Sequence, residues 1–288
     1  MDTIIRDGVE VPADVDWATL ERRKTLQLGA AKLFIQKMEE LGLKYYLAYG
    51  CLIGLKRHNG KMIPWDDDVD MVMPRNDYEK AISAMLEDDR FCVLEFTRNP
   101  DFRVKPAKVA AKDILEVTET DLKRACYIDI FALDEAPRNG VVKFCKWKLR
   151  VLIENVVLAR KKVSVGWRRV IGRALGLALP FKTERIHKIM VRLTSMVIFG
   201  KRNWTNETLV GEMYGAYGAR CLMPWGVYED NEKACYAEFE GLRVRVPSDV
   251  EQYLAHCYGR WQDMPTLEGR RPHHLSDDPW FYSEITRK

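Results

Sequence analysis

The sequence predicts a core of the α/β or α+β class, because helix and strand patterns alternate over its first 135 residues. Between Leu20 and Leu41, apolar residues recur at helical spacing, and Gly42 follows as a helix stop. Four short apolar segments then predict strands at residues 45–49, 69–73, 91–96 and 125–133. Pro74 directly follows the second of these strands and can open a helix.

The rest of the chain predicts a helical middle and a mixed C-terminal part. Residues 141–203 contain basic, amphipathic segments with a helical pattern. The segment "CYAEFEGLRVRVP" predicts a strand pair, and Ser248 can cap the short helix after it.

The composition argues against several classes of function. A net charge of +4 over 288 residues is too weak to predict a nucleic-acid partner. Seven dispersed cysteines without a CxxC pair predict reduced thiols in a cytoplasmic compartment. We find no signal-peptide pattern and no run of roughly 18 apolar residues. We therefore expect a cytoplasmic protein that is soluble or peripheral to a membrane.

The stretch "PWDDDVDMVM" places four aspartates within five positions. Such crowded carboxylates repel one another unless a cation lies among them. Because residues two apart on a strand share a face, we expect Asp68 and Asp70 to project together. Paired carboxylates on a rigid strand suit Mg²⁺ or Mn²⁺, so the pair predicts a metal site. The alternative is a solvated acidic turn.

A further carboxylate, Asp129, lies between Ile128 and Ile130 in an otherwise apolar strand. An unpaired charge there would be costly, and a neighbouring metal would explain it. The alternative is a buried aspartate that backbone amides satisfy. Asp134, at the end of the same segment, is expected to cap a turn or a helix.

Glycines and basic residues precede the acidic run. Gly50 follows the first predicted strand and Gly54 comes one turn later, where a phosphate could approach backbone amides at a helix start. Arg57 and His58 follow, and they either contact phosphate or form simple ion pairs with the acidic strand.

These motifs resemble those of the LicD family of phosphocholine transferases, relatives of fukutin and fukutin-related protein in the nucleotidyltransferase-fold superfamily. The resemblance rests on "YGCLIGLKRHNGKMIPWDDDVDMVMPRNDYEK", "YIDIFALD" and "FEGLRVRVPSDVEQYLAHCYGRWQDMPTLEGRRPHH". It implies an α+β fold, with a nucleotidyltransferase-like mixed sheet flanked by helices. It further implies a catalytic core at residues 1–140, a basic helical insertion at 141–205, and a small mixed part at 206–288 that completes the catalytic domain.

The resemblance also implies roles for individual residues. Asp68 and Asp70 match the metal-binding Asp-x-Asp, Asp129 matches the third acidic position, and Gly50 matches the loop glycine. Cys51 stands where Ser or Thr is commoner, so a hydroxyl contact to phosphate is lost while backbone contacts remain.

Two neighbouring aspartates, Asp66 and Asp67, extend the acidic run and are candidates to hold a second metal or its water. In the C-terminal "RRPHH", we expect Arg271, His273 and His274 to contact phosphate, since guanidinium forks match phosphate geometry. The alternative for both histidines is a surface turn.

The activity implied by the resemblance is transfer of a phosphorylated alcohol, most simply phosphocholine, from a CDP-linked donor. The acceptor would be a hydroxyl of a cell-surface glycan, such as lipopolysaccharide or teichoic acid, or of its lipid-linked precursor. The cofactor would be Mg²⁺ or Mn²⁺ and the product CMP. Asp129 would be either the general base or a metal ligand. Alternatives are a nucleotidyltransferase that releases pyrophosphate and a non-enzymatic binding protein.

The basic middle region has two interpretations. Its lysines and arginines could rest on an anionic membrane at the inner face, where a lipid-linked acceptor would lie. Alternatively, its helices bury their apolar faces on the core.

Overall fold

The computed structural model describes residues 2–95, 107–113, 127–136, 141–142, 204–212, 222–230 and 234–272. The predicted basic region lies almost entirely outside these described residues, and so do His273 and His274. Within the described ranges, no helix is both long enough and apolar enough to cross a bilayer.

The chain begins with a hairpin of β1 (Thr3–Arg6) and β2 (Val9–Pro12), followed by the long helix α1 (Trp17–Leu41). The side chain of Asp16 caps α1 by accepting a hydrogen bond from the Thr19 amide at 3.1 Å. Gly42 ends the helix in the left-handed conformation, with φ of 64°, as the sequence predicts.

A mixed sheet forms the centre of the described fold, and the fold class is α+β as predicted. Its strands are β3 (Tyr46–Leu47), β4 (Asp70–Pro74), β5 (Phe91–Leu94), β6 (Ala107–Ala111), β7 (Tyr127–Glu135), β8 (Leu209–Gly211) and β9 (Met223–Pro224). The main path has the order β3-β4-β7-β6-β5, and β8 pairs with both β7 and β9. Strands β4 and β7 are parallel, whereas the other neighbours are antiparallel.

The remaining described elements surround this sheet. They are the helices α2 (Tyr49–Arg57), α3 (Arg75–Leu86) and α4 (Val250–Tyr258), and the hairpin of β10 (Cys235–Phe239) and β11 (Leu242–Val246). Helix α1 packs against β6 and β7, and α3 packs against β5 and β7. The rings of Trp225 and Tyr228 contact Tyr46 of β3 with centroids 5.9 and 5.4 Å away, so C-terminal residues pack directly on the sheet.

Several local predictions were wrong in detail. The strand expected at residues 45–49 is only two residues long, because Tyr49 takes a positive φ of 48° and begins α2. Asp249, rather than Ser248, caps α4, since its carboxylate accepts from the Gln252 amide at 2.9 Å. The Ser248 hydroxyl instead donates to the backbone of residues 226 and 227.

Asp134 does not cap a turn or a helix. It lies within β7, and its carboxylate accepts two hydrogen bonds from the Arg75 guanidinium at 2.9 and 2.7 Å. Both side chains are mostly buried, and Asp134 raises the pKa of Arg75 against the opposing effect of burial. This bidentate pair ties the start of α3 to the end of β7.

Candidate active site

An acidic loop precedes β4 and gathers three carboxylates. One oxygen each from Asp66, Asp67 and Asp68 lies within 4.8 Å of the others. Asp67 is buried, while its two neighbours are partly exposed. Three carboxylate oxygens this close form a set of hard ligands of the kind that Mg²⁺ and Mn²⁺ take.

The parallel pairing of β4 and β7 brings a fourth and a fifth carboxylate together. Asp70, the first residue of β4, lies directly opposite Asp129 in the register. The Asp129 amide donates to the Val69 carbonyl at 2.9 Å, which fixes β7 to the residue between Asp68 and Asp70. Asp68 thus lies just before the strand, not within it. The structure brings these five acidic positions, predicted from two separate segments of the sequence, to one end of β4.

The electrostatics of this cluster favour a bound cation. Burial, followed by the charges of Asp68 and Asp67, raises the pKa of Asp66. Burial likewise raises the pKa of Asp70, with Asp68 and Asp129 as the next causes. Asp66 Oδ2 is buried and has no hydrogen-bond partner among the described residues. A divalent cation would relieve this repulsion and give that oxygen a ligand, so the residues fit the predicted metal.

A lysine that no sequence motif indicated lies beside Asp129. Lys108 is opposite Asp129 in the β6–β7 register, and its ammonium nitrogen lies 3.0 and 3.3 Å from the two carboxylate oxygens. The Asp129 charge therefore has a cation next to it within the protein. A metal is not needed to explain why this charge is tolerated in the strand.

Helix α1 holds the acidic loop from behind through polar side chains. Lys24 donates to the Ile63 and Pro64 carbonyls at 3.0 and 2.8 Å, and Gln27 donates to the Asp67 carbonyl at 2.9 Å. Lys24 and Gln27 are both buried, and burial lowers the pKa of Lys24. These contacts fix the loop backbone, which orients its carboxylates.

Another acidic side chain comes from the distant C-terminal half. Glu212 directly follows β8, is only 2% exposed, and is among the charges that raise the pKa of Asp70. Its sequence context, "LVGEMYG", gave no motif that could have identified it.

Gly50 and Cys51, at the start of α2, face the acidic segment. A Cβ atom on Gly50 would lie 2.5 Å from Asp66 Oδ2, so the carboxylate occupies the space that the missing side chain leaves. The buried Cys51 thiol lies 3.8 Å from the Asp68 carbonyl and 3.5 Å from the Asp70 amide. Burial, and then Asp70, raises its pKa. Cys51 is thus directed at the backbone of the predicted metal ligands, where it supports their position.

The two arginines predicted to bind substrate, Arg57 and Arg271, form hydrogen bonds to other groups of the protein. One guanidinium nitrogen of Arg57 donates to the Trp261 and Asp263 carbonyls, both at 3.0 Å. Burial, and then the charge of Arg270, lowers the pKa of Arg57, whereas the charge of Asp66 raises it. Arg271 donates to both Asp14 carboxylate oxygens at 2.9 and 3.0 Å. Substrate contacts by these arginines remain predictions, as do those of the undescribed histidines at 273 and 274.

Two comparisons with known proteins bear on this site. Residues 42–152 match the family described as LicD/FKTN/FKRP, nucleotidyltransferase domain. The matched segment contains the acidic loop, β4, Lys108 and Asp129. The chain is also similar to the lipopolysaccharide cholinephosphotransferase LicD of Haemophilus influenzae, with 24% identity over 275 residues, which are 90% of this chain and 97% of that protein. The resemblance seen in the sequence is confirmed by both comparisons: residues 42–152 match the LicD/FKTN/FKRP nucleotidyltransferase domain, and most of the chain is similar to a LicD protein.

Proposed function

We propose that this protein is a metal-dependent transferase that moves phosphocholine from a CDP-linked donor to a hydroxyl of a cell-surface glycan or its lipid-linked precursor. The observation that carries the proposal is the pairing of Asp70 with Asp129 beside the acidic loop. The similar Haemophilus influenzae protein is a lipopolysaccharide cholinephosphotransferase, which supports phosphocholine as the transferred group and lipopolysaccharide as the first acceptor to test.

In the proposed reaction, the acceptor hydroxyl oxygen forms a bond to the phosphorus of the phosphocholine group. The bond between that phosphorus and the bridging oxygen of CMP breaks, and CMP leaves with the electron pair. Asp129 takes the hydroxyl proton if it is the general base. The alternative is that Asp129 is a metal ligand.

Asp66, Asp68 and Asp70 are the residues that would hold Mg²⁺ or Mn²⁺. When bound, the cation would supply positive charge for the donor phosphate oxygens. Because Asp129 lies directly opposite Asp70, a phosphorus atom held near Asp70 would be close to the group that receives the proton. We propose that Gly50 and Arg57 border this donor site, since Gly50 adjoins Asp66 and the charge of Asp66 acts on Arg57.

The alternative is a nucleotidyltransferase that releases pyrophosphate, because the same fold supports both reactions. Product identity separates the two. The protein is incubated with Mg²⁺ and lipopolysaccharide, and with either CDP-choline or CTP. We expect CMP from CDP-choline and phosphocholine on the glycan, and no pyrophosphate from CTP. Pyrophosphate release from CTP, without CMP from CDP-choline, would establish the alternative. The Asp70→Asn variant serves as the inactive control.

We further propose that the protein reaches a lipid-linked acceptor through peripheral contact of its basic middle region with the membrane. The support is the density of lysine and arginine beside apolar positions in residues 141–203. This region lies outside the described residues.

A further inference from the structure

A row of three charged residues crosses three neighbouring strands of the sheet. Asp70 on β4 is opposite Asp129 on β7, which is opposite Lys108 on β6. Directly paired residues project to the same face of a sheet. The Lys108 ammonium is therefore on the same face as the candidate metal ligand Asp70, with Asp129 between them.

Lys108 lies where burying a charge is energetically unfavourable. It is 5% exposed, and the other four residues of β6 are alanines and a valine. Its ammonium lies 3.6 Å from the centroid of the Tyr127 ring, in addition to its contact with Asp129. A buried ion pair often contributes less stability than apolar residues of similar volume would. A lysine at such a buried position therefore suggests a role beyond packing.

We propose that Lys108 binds the diphosphate of the CDP-linked donor and is thereby a substrate-binding residue of the site. This inference rests on the proposed function. An ammonium group carries three donors and acts as a point charge, so it can hold Asp129 and a phosphate oxygen together. Its place at the end of the charged row puts it on the side of Asp129 opposite the acidic loop. The donor diphosphate would then lie between two positive centres, the metal and Lys108.

This role predicts opposite effects on the two ligands. Lys108 repels a divalent cation through the Coulomb interaction, so removing its charge should leave Mg²⁺ binding unchanged or tighter. The same change should weaken donor binding about 10- to 100-fold, because a charge-assisted hydrogen bond is lost. A purely structural lysine would instead affect both ligands in the same direction, through loss of the fold.

The test is calorimetric titration of Mg²⁺ alone, and of CDP-choline in the presence of Mg²⁺, into wild type, Lys108→Met and Lys108→Gln. Lys37→Met is the matched control, since Lys37 forms a partly buried pair with Asp88 at 2.8 Å outside the site. Donor affinity that falls in both Lys108 variants, with Mg²⁺ affinity retained and no change in Lys37→Met, would support the role. Equal loss of both affinities, or donor affinity like that of wild type, would overturn it. If wild type itself binds no CDP-choline, the proposed function fails, and this inference with it.

A second comparison applies if neither Lys108 variant folds. Asp129→Asn removes the carboxylate charge that pairs with the Lys108 ammonium, whereas Asp68→Asn removes an equal charge elsewhere in the acidic cluster. In the absence of metal, CDP-choline should bind Asp129→Asn at least several-fold more tightly than Asp68→Asn. Equal affinities would overturn the inference.

Discussion

At the scale of single residues, Asp66 and Asp70 make the metal-free protein sensitive to pH. Burial, and next the neighbouring carboxylates, raise their pKa above the ordinary value of 3.8. The folded protein therefore binds more protons than the unfolded chain at pH values between the ordinary and the raised pKa. Stability contributed by these groups is present at low pH and is lost as the pH rises through that window.

We expect Asp70→Asn to remove part of this pH dependence. In EDTA, the thermal stability of the variant should match that of wild type near pH 4 and exceed it increasingly as the pH rises. The reason is that an uncharged amide replaces a carboxylate whose charged form is disfavoured by burial and by neighbouring carboxylates. Thermal unfolding between pH 4 and 8 measures the difference. Asp88→Asn is the contrasting control, since hydrogen bonds from Arg90 and Lys37 lower the pKa of Asp88, and its loss should destabilise at neutral pH. A gap between Asp70→Asn and wild type that stays constant with pH would contradict the assignment.

The role of Asp129 is also decided at this scale. If Asp129 is the base, Asp129→Asn should lower transfer about 10²–10⁴-fold while leaving CDP-choline affinity in Mg²⁺ nearly unchanged. We favour this role, because Asp68 and Asp70 already supply the one or two carboxylates that Mg²⁺ usually takes from a protein. Steady-state transfer assays and calorimetry on the same preparation measure both quantities. A large loss of donor affinity would assign Asp129 to the metal instead.

At the scale of elements, two glycines of α2 have different roles: Gly50 lies against a candidate metal ligand, whereas Gly54 lies against the backbone of the fold. A Cβ at Gly50 would meet the Asp66 carboxylate, which can rotate, whereas a Cβ at Gly54 would lie 2.3 Å from the Lys61 backbone carbonyl. We expect Gly50→Ala to fold with wild-type stability but bind Mg²⁺ more weakly, and Gly54→Ala to lower the melting temperature. Thermal unfolding and Mg²⁺ titration of both variants test this pair. Wild-type Mg²⁺ affinity in Gly50→Ala would show that the carboxylate of Asp66 is not part of the metal site.

Some strands could be predicted from the sequence and others could not, for physical reasons. Strands β4 and β7 are rich in apolar residues interrupted by aspartates, so both the strands and their candidate ligands were predictable. Strand β6, "AKVAA", is dominated by alanine, which has a weak preference for strands, and Lys108 was missed with it. Its importance comes from the pairing with Asp129, a tertiary relation that the local pattern does not contain.

The same limit applies to polar residues that form hydrogen bonds with groups far away in the sequence. Lys24 and Gln27 look like ordinary helix-surface positions in α1, yet both are buried against a loop about 40 residues away in sequence. Asp134 at a strand end resembled a cap, but an arginine 59 residues earlier in the chain pairs with it. Patterns of spacing 2 and 3.6 identify elements, whereas these contacts depend on how the elements pack.

At the scale of the whole molecule, the sequence of the basic region at residues 141–203 predicts association with a membrane that carries the acceptor. We expect reversible, electrostatic binding to anionic vesicles that weakens as salt is added. Liposome flotation with anionic and neutral vesicles, at low and high salt, measures this binding. Equal binding to both kinds of vesicle, or insensitivity to salt, would contradict this prediction and leave the predicted helices with a structural role only.

We propose that the carboxylates around β4 hold a divalent cation and, through it, a CDP-linked donor. Calorimetric titration of CDP-choline into wild type, Asp68→Asn and Asp70→Asn, each with Mg²⁺ and with EDTA, tests this claim without requiring the acceptor. We expect tight binding only to wild type in Mg²⁺, with affinity at least tenfold lower in EDTA and in both variants. CDP-choline affinity that is the same in EDTA as in Mg²⁺, or unchanged by either substitution, would contradict the account.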